Sequence, residues 1–385
     1  MDLRYFSEEH RLLHDMVAEF SRNEVEPVAE EQDREGRFPK ELVQKMAALG
    51  LLGIPIDSKY GGAGMDTVAF AIAVHQLAIA DASTAITMGA HTSLGCMPIY
   101  LFGTEEQKQK YLPALTSGEQ LGAFALTEPG AGSDAGGTQT RAEKRHDKYV
   151  VNGQKAFITN AGYAGVISFT ARLFENGEEV GITTFIAEAG TPGLRLGEPE
   201  KKMGWRASDT RAVYFEDMEL PAKQLLGEPG KGFTQFLKVL SGGRISLGAL
   251  ALGTTEGAFR RALKYAHERE AFGKKIGEFQ GIGFKLADIA TELEAAKHLV
   301  YHAAWLKDQG HNVDREAAMA KLFASELAMR ATTEAIQIHG GYGYIREYQV
   351  ERFFRDAKVL EIGEGTSEIQ RIVIARQLME EAGRL

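Results

Sequence analysis

The residue in this chain best placed to act as a base is Glu364, near the carboxyl end. It lies between Gly363 and Gly365, just ahead of a predicted helix. Glycine on both sides permits backbone conformations closed to other residues and lets another molecule approach the main chain. Thr366 or Ser367 can cap the helix that follows, with Glu368 against its positive end. Taken alone, the segment fits an ordinary loop carboxylate better than an active-site base.

Two further segments carry groups able to hold a polar or flat ligand. Residues 124–134, FALTEPGAGSD, offer the hydroxyl groups of Thr127 and Ser133, and their glycines free backbone N–H groups. Residues 157–160, FITN, place an aromatic face beside a hydroxyl, which suits a ring that is stacked and hydrogen-bonded. Taken alone, the first segment is as readily a polar turn, and an aromatic residue in a strand is more often part of a core.

Three other polar features allow a structural or a chemical interpretation. Arg269, in an R-x-x-F-G-K turn, could bind a phosphate with two hydrogen bonds. Alternatively, its charge could simply interact favourably with the dipole at the carboxyl end of the preceding helix. His339, in the glycine-rich loop QIHGGYG, has no second histidine at metal-ligand spacing, so we interpret it as structural. Cys96 is the only cysteine, which excludes an internal disulfide, and its apolar neighbours indicate a buried residue.

Composition narrows the possible partners. The chain has 385 residues, of which 44% are hydrophobic, and a net charge of −9. This charge makes nucleic acid an improbable partner. No apolar run approaches the roughly 20 residues that cross a bilayer, and the amino end carries acids where a targeting signal carries bases. We therefore expect no membrane span and a cytoplasmic, bacterial protein rather than a trimmed mitochondrial matrix form.

The elements that must position these residues fall into three segments. Residues 1–120 show helical periodicity, and residues 121–232 change to strand periodicity, with Asn-Gly pairs at 152–153 and 176–177 that predict hairpin turns. Residues 233–385 return to helices long enough for a four-helix bundle. The predicted fold is mainly α with a central β domain: an amino-terminal helical domain, a small antiparallel β-barrel and a carboxy-terminal four-helix bundle.

In their order along this layout, the TEPGAGSD, FITN, R-x-x-F-G-K, QIHGGYG and EGTSEIQR motifs resemble the acyl-CoA dehydrogenase family over nearly the whole length. The resemblance implies a flavoenzyme, usually a homotetramer with one FAD per subunit, that converts acyl-CoA thioesters to trans-2-enoyl-CoA. Glu364 would take the α-proton while the flavin accepts the β-hydride, and electrons would pass to an electron-transfer flavoprotein. The backbone N–H of the glutamate and a ribityl hydroxyl of FAD would stabilise the developing enolate.

The resemblance also assigns roles to residues. Arg269, Gln280 and the 337–341 loop would reach FAD across a subunit interface, and Arg244 and Arg376 would be cations for CoA. The implied FAD contacts are Phe124, Leu126, Thr127, Gly132, Ser133, Phe157, Ile158, Thr159, Arg269, Phe272, Gln280, Gln337, Ile338, Gly340, Gly341, Thr366 and Glu368. The implied substrate contacts are Ser133, Ser241, Gly242, Gly243, Arg244, Gly365 and Arg376.

Departures from the family pattern refine this interpretation. Phe157 stands where tryptophan is commoner, and Gly243 stands where some members carry the base, which leaves Glu364 as the base here. Gly363 replaces a tyrosine common in straight-chain enzymes, so we expect a wider acyl pocket that favours branched, longer or bulkier chains.

Two alternative functions stay open. One is an acyl-CoA oxidase, which the chain length disfavours, and the other is a non-catalytic scaffold binding FAD or CoA, which Glu364 disfavours.

Overall fold

The computed structural model describes residues 6–383, and its amino-terminal region is helical, as predicted. Ser7 caps the first helix by accepting the His10 N–H. The two central helices, α4 and α5, consist mainly of small and apolar residues and are buried nearly all round. The helices of this region are α1 Glu8–Phe20, α2 Glu26–Glu35, α3 Lys40–Ala48, α4 Thr67–Ala80, α5 Ala82–Ala90, α6 Met97–Phe102 and α7 Glu105–Thr116.

The middle of the chain forms one sheet with strand order β6-β7-β3-β2-β4-β5-β8, and β1 pairs with β4. The pairing is mixed, because β4 runs parallel to both β1 and β2, whereas the sequence predicted an antiparallel unit. The strands are β1 Leu121–Ala125, β2 Arg141–Arg145, β3 Lys148–Thr159, β4 Ala164–Glu175, β5 Glu178–Glu188, β6 Leu194–Leu196, β7 Thr210–Pro221 and β8 Leu225–Leu226.

The two Asn-Gly pairs behave differently. Asn176 and Gly177 both have positive φ and join β4 to β5, so the predicted hairpin turn is confirmed there. Asn152 and Gly153 lie inside β3, so that predicted turn is wrong. The side chain of Asn152 exchanges hydrogen bonds with Asp217 of β7, at 3.0 and 2.8 Å, and the strand continues through an irregularity in its pairing.

The carboxy-terminal region is helical again. Gly310, with φ of 79°, follows α9, and Asp314 and Ser367 begin the next helices, as the sequence predicted. In the carboxy-terminal bundle, helix α10 packs against α8, α9 and α12, and α8 also packs against α9. The elements are α8 Gly232–Glu268, the short strands β9 Glu270–Ala271 and β10 Lys274–Lys275, α9 Gln280–Asp308, α10 Asp314–His339, α11 Val350–Ala357 and α12 Ser367–Ala382.

Helix α8 connects the regions. It packs on both α10 and α4, and one hydrophobic core runs through the amino-terminal and carboxy-terminal helices. By length and composition α8 could cross a bilayer, but 83% of its most apolar window is buried inside the protein. A core helix of this kind passes the same test, so we describe α8 as the central helix of the fold.

Candidate active site

Glu364 lies in the short loop between α11 and α12, in a left-handed conformation with φ of 52°. That region is uncommon for a residue with a side chain, and such conformations persist only where the surroundings hold them. Here Gln370 donates to the carbonyl groups of Glu364 and Gly365, at 3.3 and 2.9 Å. Lys321 of α10 donates to the same Gly365 carbonyl at 2.7 Å. The backbone of Glu364 is therefore fixed from two sides.

The carboxyl group of Glu364 is poised to exchange a proton. Its Oε2 atom is buried and has no hydrogen-bond partner among residues 6–383. Burial raises its pKa to about 7, against the opposing charges of Lys321 and Arg244. A carboxylate that titrates near neutral pH is well matched to general-base work. The backbone N–H of Glu364 likewise donates to no group in the described part of the chain, so it is free to bind a ligand.

Gly243 of α8 faces this carboxyl group. A Cβ atom at Gly243 would lie 2.1 Å from Glu364 Oε2, which is closer than any non-bonded contact allows. The predicted base and the predicted alternative position are thus neighbours in space, and a side chain at position 243 would displace the Glu364 carboxyl group from its present place. The absence of a side chain at Gly243 gives the Glu364 carboxylate its room.

The other predicted substrate residues divide into near and remote groups. The Ser241 hydroxyl donates to Asp314, and Gly242 faces the ammonium group of Lys307. Arg244 is buried beside the base, with its Nε atom unpartnered among the described residues. Arg376 instead lies on the outer face of α12, where its side chain is 77% exposed and pairs with Glu380. The structure therefore brings Gly243 and Arg244 to the Glu364 loop. It places Ser241 and Gly242 beside Asp314 and Lys307, and it leaves Arg376 on the surface.

The first turn of α12 is arranged as predicted. Thr366 caps the helix by accepting the Ile369 N–H at 3.3 Å. Glu368 is exposed in that turn, and hydrogen bonds from its own backbone N–H and from Thr366 lower its pKa.

The loop after β1 is fastened to β3. Lys155 Nζ donates to the Leu126 carbonyl at 3.0 Å and to Glu128 Oε1 at 2.8 Å. The Ala156 N–H donates to the Thr127 carbonyl at 2.8 Å. Leu126 and Thr127 are consequently half-buried, while the end of the loop is exposed. The residues at that exposed end are Gly132 and Ser133.

A bulge in β3 turns Phe157 outward. Lys155 pairs with Val213 and Ile158 with Arg211, so β3 carries one extra residue between these pairs. A bulge of this kind redirects a side chain. Phe157 has a φ of 61° and is 67% exposed, whereas Ile158 is buried and Thr159 is half-buried. An open aromatic face therefore lies beside the fastened loop, which is the surface that a flat ring requires.

The strand bearing Phe157 is also tied to the helical region. Asn160, in a left-handed turn after β3, donates from Nδ2 to the Thr87 carbonyl at 3.0 Å. Phe124 of β1 stacks on Phe236 of α8, with ring centroids 5.8 Å apart. These contacts hold the sheet against α5 and α8.

A second group of predicted residues surrounds a separate cavity of about 450 Å³. Arg269 lies there, its guanidinium group 5.6 Å from the ring centre of Tyr342. The residues lining the cavity are Tyr265, Arg269, Ile276, Ile338, His339, Gly340, Gly341, Tyr342 and Ile345. Gln280 and Gln337 are exposed nearby but do not line it, and Phe272 is 97% exposed.

The cavity is remote from Glu364. Lys321, which contacts the Glu364 loop, and Ile338, which lines the cavity, are both on α10 and 17 positions apart in the sequence, which is about 26 Å along the helix axis. Within this chain the two groups of residues therefore form two separate surfaces.

His339 and Cys96 are packed residues. His339 Nδ1 bonds the Ala335 carbonyl at 2.7 Å, and its ring stacks on Tyr265. Cys96 is buried, and burial raises the pKa of its thiol. Among residues 6–383, no group of three His, Cys, Asp or Glu side chains could hold a metal ion.

Two buried lysines escaped the sequence analysis. Lys321 lies at helical spacing from Ala317, Ala324 and Ala328, so it falls on the apolar stripe of α10. Lys155 lies on the same strand face as the buried Val151. A charged residue at a core position is the signal that could have found both.

Comparison with known proteins finds three family models along the chain. The acyl-CoA dehydrogenase N-terminal domain matches residues 7–119, the middle domain 123–218 and the C-terminal domain 230–379. The chain is 52% identical, over 376 residues, to the probable acyl-CoA dehydrogenase YngJ of Bacillus subtilis (strain 168), with 97% of this chain and 99% of that protein covered.

Solved structures are similar over nearly all of the chain. Butyryl-CoA dehydrogenase from Megasphaera elsdenii has a TM-score of 0.95 and 45% identity, with 98% of this chain and 100% of that chain covered. A chain in the structure of the electron transferring flavoprotein of Acidaminococcus fermentans has a TM-score of 0.95 and 47% identity, covering 98% and 99%. Acyl-CoA dehydrogenase from Bacillus anthracis, complexed with FAD, has a TM-score of 0.92 and 36% identity, covering 98% and 68%.

Proposed function

This chain belongs to the acyl-CoA dehydrogenase family, and on that premise we propose that it converts acyl-CoA thioesters to trans-2-enoyl-CoA, with Glu364 as the base. It is an oxidoreductase that acts on acyl-CoA, and FAD is its cofactor. The observation that carries the proposed mechanism is the Glu364 carboxyl group, whose pKa is raised to about 7 and whose buried Oε2 atom has no hydrogen-bond partner in the described part of the chain.

The residues of this chain supply proton transfer and positioning. In the proposed reaction, Glu364 removes the α-proton of the thioester and keeps it on its carboxyl group. The unpartnered N–H of Glu364 donates to the thioester carbonyl, where negative charge develops. The buried position of Glu364 Oε2 keeps water from this atom, which strengthens both interactions. When bound, FAD supplies the acceptor for the β-hydrogen and its electron pair.

The site residues fit a flavin. We propose that the fastened loop, through Leu126, Thr127 and Ser133, contacts the flavin ring, and that the open face of Phe157 and the hydroxyl of Thr159 lie along it. The cavity at Arg269 offers a guanidinium group, aromatic rings and glycine N–H groups. These are the groups that recognise a pyrophosphate and an adenine ring.

We further propose a homotetramer in which each cavity serves the FAD of a neighbouring subunit. The separation of about 26 Å along α10 between Lys321, which contacts the Glu364 loop, and Ile338, which lines the cavity, supports this sharing. Large apolar side chains that are more than half exposed support burial of these faces against another subunit. Among them are Phe272, Phe284, Tyr344, Ile372 and Met379. The segments 1–120, 121–232 and 233–385 are the proposed domains of each subunit.

Replacing Arg269 with alanine should weaken FAD binding. Loss of a charge-assisted, bidentate contact to phosphate corresponds to about 1.5–3 kcal/mol, or roughly a 10- to 100-fold higher Kd for FAD. Titration of FAD into the apoprotein, followed by flavin fluorescence, measures this. Arg330→Ala is the matched control, because Arg330 is an exposed arginine of α10 that pairs with Glu292. Equal FAD affinity in Arg269→Ala and wild type would contradict the shared site.

The acyl pocket is proposed to accept branched, longer or bulkier chains. A Cβ atom at Gly363 would meet only the Val359 carbonyl, at 3.4 Å, so a side chain at this position would extend into open space. We expect Gly363→Tyr to lower kcat/KM for branched and longer acyl-CoA more than for butyryl-CoA. Anaerobic titration with graded acyl-CoA substrates, following loss of flavin absorbance, measures the profile. A wild-type profile that peaks sharply at butyryl-CoA would argue against the wider pocket.

An electron-transfer flavoprotein is the proposed electron acceptor, and the cytoplasm is the proposed location. The similarity to a chain found with an electron transferring flavoprotein in Acidaminococcus fermentans supports the acceptor. Mixing the substrate-reduced enzyme with oxygen in a stopped-flow instrument tests it. Reoxidation by oxygen as fast as by the flavoprotein would favour the oxidase alternative.

A further inference from the structure

Lys321 is a fully buried lysine without an ion-pair partner in residues 6–383. Its ammonium group donates to the Gly365 carbonyl at 2.7 Å, directly after the proposed base. A buried charge without a carboxylate partner is costly, and proteins keep such a charge where it has a function. Lys155, which is equally buried, has Glu128 as its partner at 2.8 Å. The unpaired state of Lys321 therefore needs an explanation.

Two opposite charges lie close together here without bonding to each other. Glu364 Oε2 has no hydrogen-bond partner, and Lys321 Nζ bonds the neighbouring carbonyl instead. Burial lowers the pKa of Lys321 to about 8, so the ammonium group is mainly charged at neutral pH. This arrangement leaves the carboxylate free for substrate while a positive charge stays next to it.

We propose that Lys321 is a positioning residue that fixes the Glu364 loop through the Gly365 carbonyl and supplies the charge that keeps the Glu364 carboxylate ionised. This inference rests on the proposed role of Glu364 as the base. Lys321 acts on the reaction only through Glu364 and touches neither substrate nor cofactor in the proposed mechanism.

The other charged groups near Glu364 have smaller or indirect effects on its pKa. Arg244 faces it from α8 and lowers its pKa less than Lys321 does, and Asp314 in turn faces Arg244. From the loop itself, Glu361 and Glu368 act on Lys321, and Glu361 is paired with Lys358. Lys321 is therefore the main positive charge that opposes the effect of burial on Glu364.

Removing the charge of Lys321 should change the pKa of Glu364 in one direction only. Without Lys321 the pKa of Glu364 rises further, and a base works only when it is ionised. The acid limb of the reaction, which wild type should show near pH 7, must then move to higher pH. A shift of about one pH unit corresponds to a tenfold lower rate on the acid side and little change at alkaline pH.

Lys321→Met and Gln370→Met form a matched pair for the test. Both side chains donate to the Gly365 carbonyl, but only Lys321 carries a charge. We expect the rate of anaerobic flavin bleaching by acyl-CoA, measured against pH on the FAD-loaded enzyme, to shift its acid limb upward in Lys321→Met. Gln370→Met should lower the rate at all pH values without moving the limb. An unmoved limb in Lys321→Met, or an equal shift in both variants, overturns the proposal.

Further variants distinguish loss of the Lys321 charge from a folding defect. They also distinguish failure of this inference from failure of the proposed function. Lys321→Arg keeps the charge and should keep the wild-type limb, and Lys321→Gln replaces Lys321→Met if the latter does not bind FAD. The carboxyl stretch of Glu364 in infrared difference spectra, identified by its absence in Glu364→Gln, should titrate at higher pH in the neutral variants. Activity in Glu364→Gln would refute the base itself. An inactive Glu364→Gln with an unmoved limb in Lys321→Met would refute only the role of Lys321.

Discussion

Glu364→Gln should retain FAD and lose turnover by about 10²- to 10⁴-fold, the contribution typical of a positioned general base. Glutamine has nearly the same shape, so the loop and its bonds to Lys321 and Gln370 remain. It cannot accept the α-proton. Gly243, the residue of α8 nearest the carboxyl group, has no side chain that could replace it. The rate of anaerobic flavin bleaching after mixing with acyl-CoA measures the loss.

Glu361→Gln is the matched control for this variant. Glu361 is a half-buried glutamate three positions earlier whose carboxylate pairs with Lys358 and which affects the site only through its charge near Lys321. It should keep nearly wild-type bleaching. Wild-type-like activity in Glu364→Gln would refute the assignment of the base, and a purified wild-type protein that is colourless and takes up no flavin would refute the FAD site.

Local sequence rules identified the parts of this site that depend on neighbours in the chain. Glycines on both sides of Glu364, a threonine cap and a following helix are visible in a run of a few residues, and the structure has each of them. The change from helical to strand periodicity and back likewise gave the order of the helical and sheet regions. These features depend on backbone geometry within one or two turns.

Features that depend on contacts between distant segments could not be predicted in this way. Lys321 and Gly365 are 44 positions apart, and nothing in either segment shows that they meet. The role of Gly243 depends on a carboxyl group from another helix. The Asn152-Gly153 pair reads as a hairpin turn, but pairing with β7 and bonds to Asp217 keep it inside a strand.

Backbone strain is the other feature that could not be predicted from the sequence. Phe157, Phe272 and Glu364 all have positive φ, although none is a glycine, and all three are implied site residues. Such conformations cost about 1–3 kcal/mol each and persist where surrounding contacts hold them. For Glu364 those contacts are the hydrogen bonds from Lys321 and Gln370. The strain and the buried lysine are thus two aspects of one arrangement that only the folded chain displays.

Lys155→Met should lower the free energy of unfolding by about 3–5 kcal/mol, the cost of breaking a buried ion pair from one side. Lys155 donates to Glu128 Oε1, to the Leu126 carbonyl and to Thr138 Oγ1, at 2.8, 3.0 and 3.0 Å. Without the ammonium group, the carboxylate of Glu128 is buried without a counter-charge, and the loop that we propose to contact the flavin loses its attachment. The midpoint of urea unfolding and the Kd for FAD measure the two effects.

The pH dependence and a double variant make this prediction specific to the ion pair. Burial alone would raise the pKa of Glu128. Hydrogen bonds from Lys155 and Thr138 nevertheless lower it to about 2. Ionisation of Glu128 therefore stabilises the protein above the ordinary glutamate pKa of 4.5, and this stabilisation is lost as the pH falls toward 2. Burial lowers the pKa of Lys155 to about 8, which offsets part of this stabilisation. The stability difference between wild type and Lys155→Met should narrow in acid. Lys155→Met combined with Glu128→Gln should recover most of the loss, because no unpaired charge remains. If the double variant is no more stable than Lys155→Met, the ion pair is not what holds the loop.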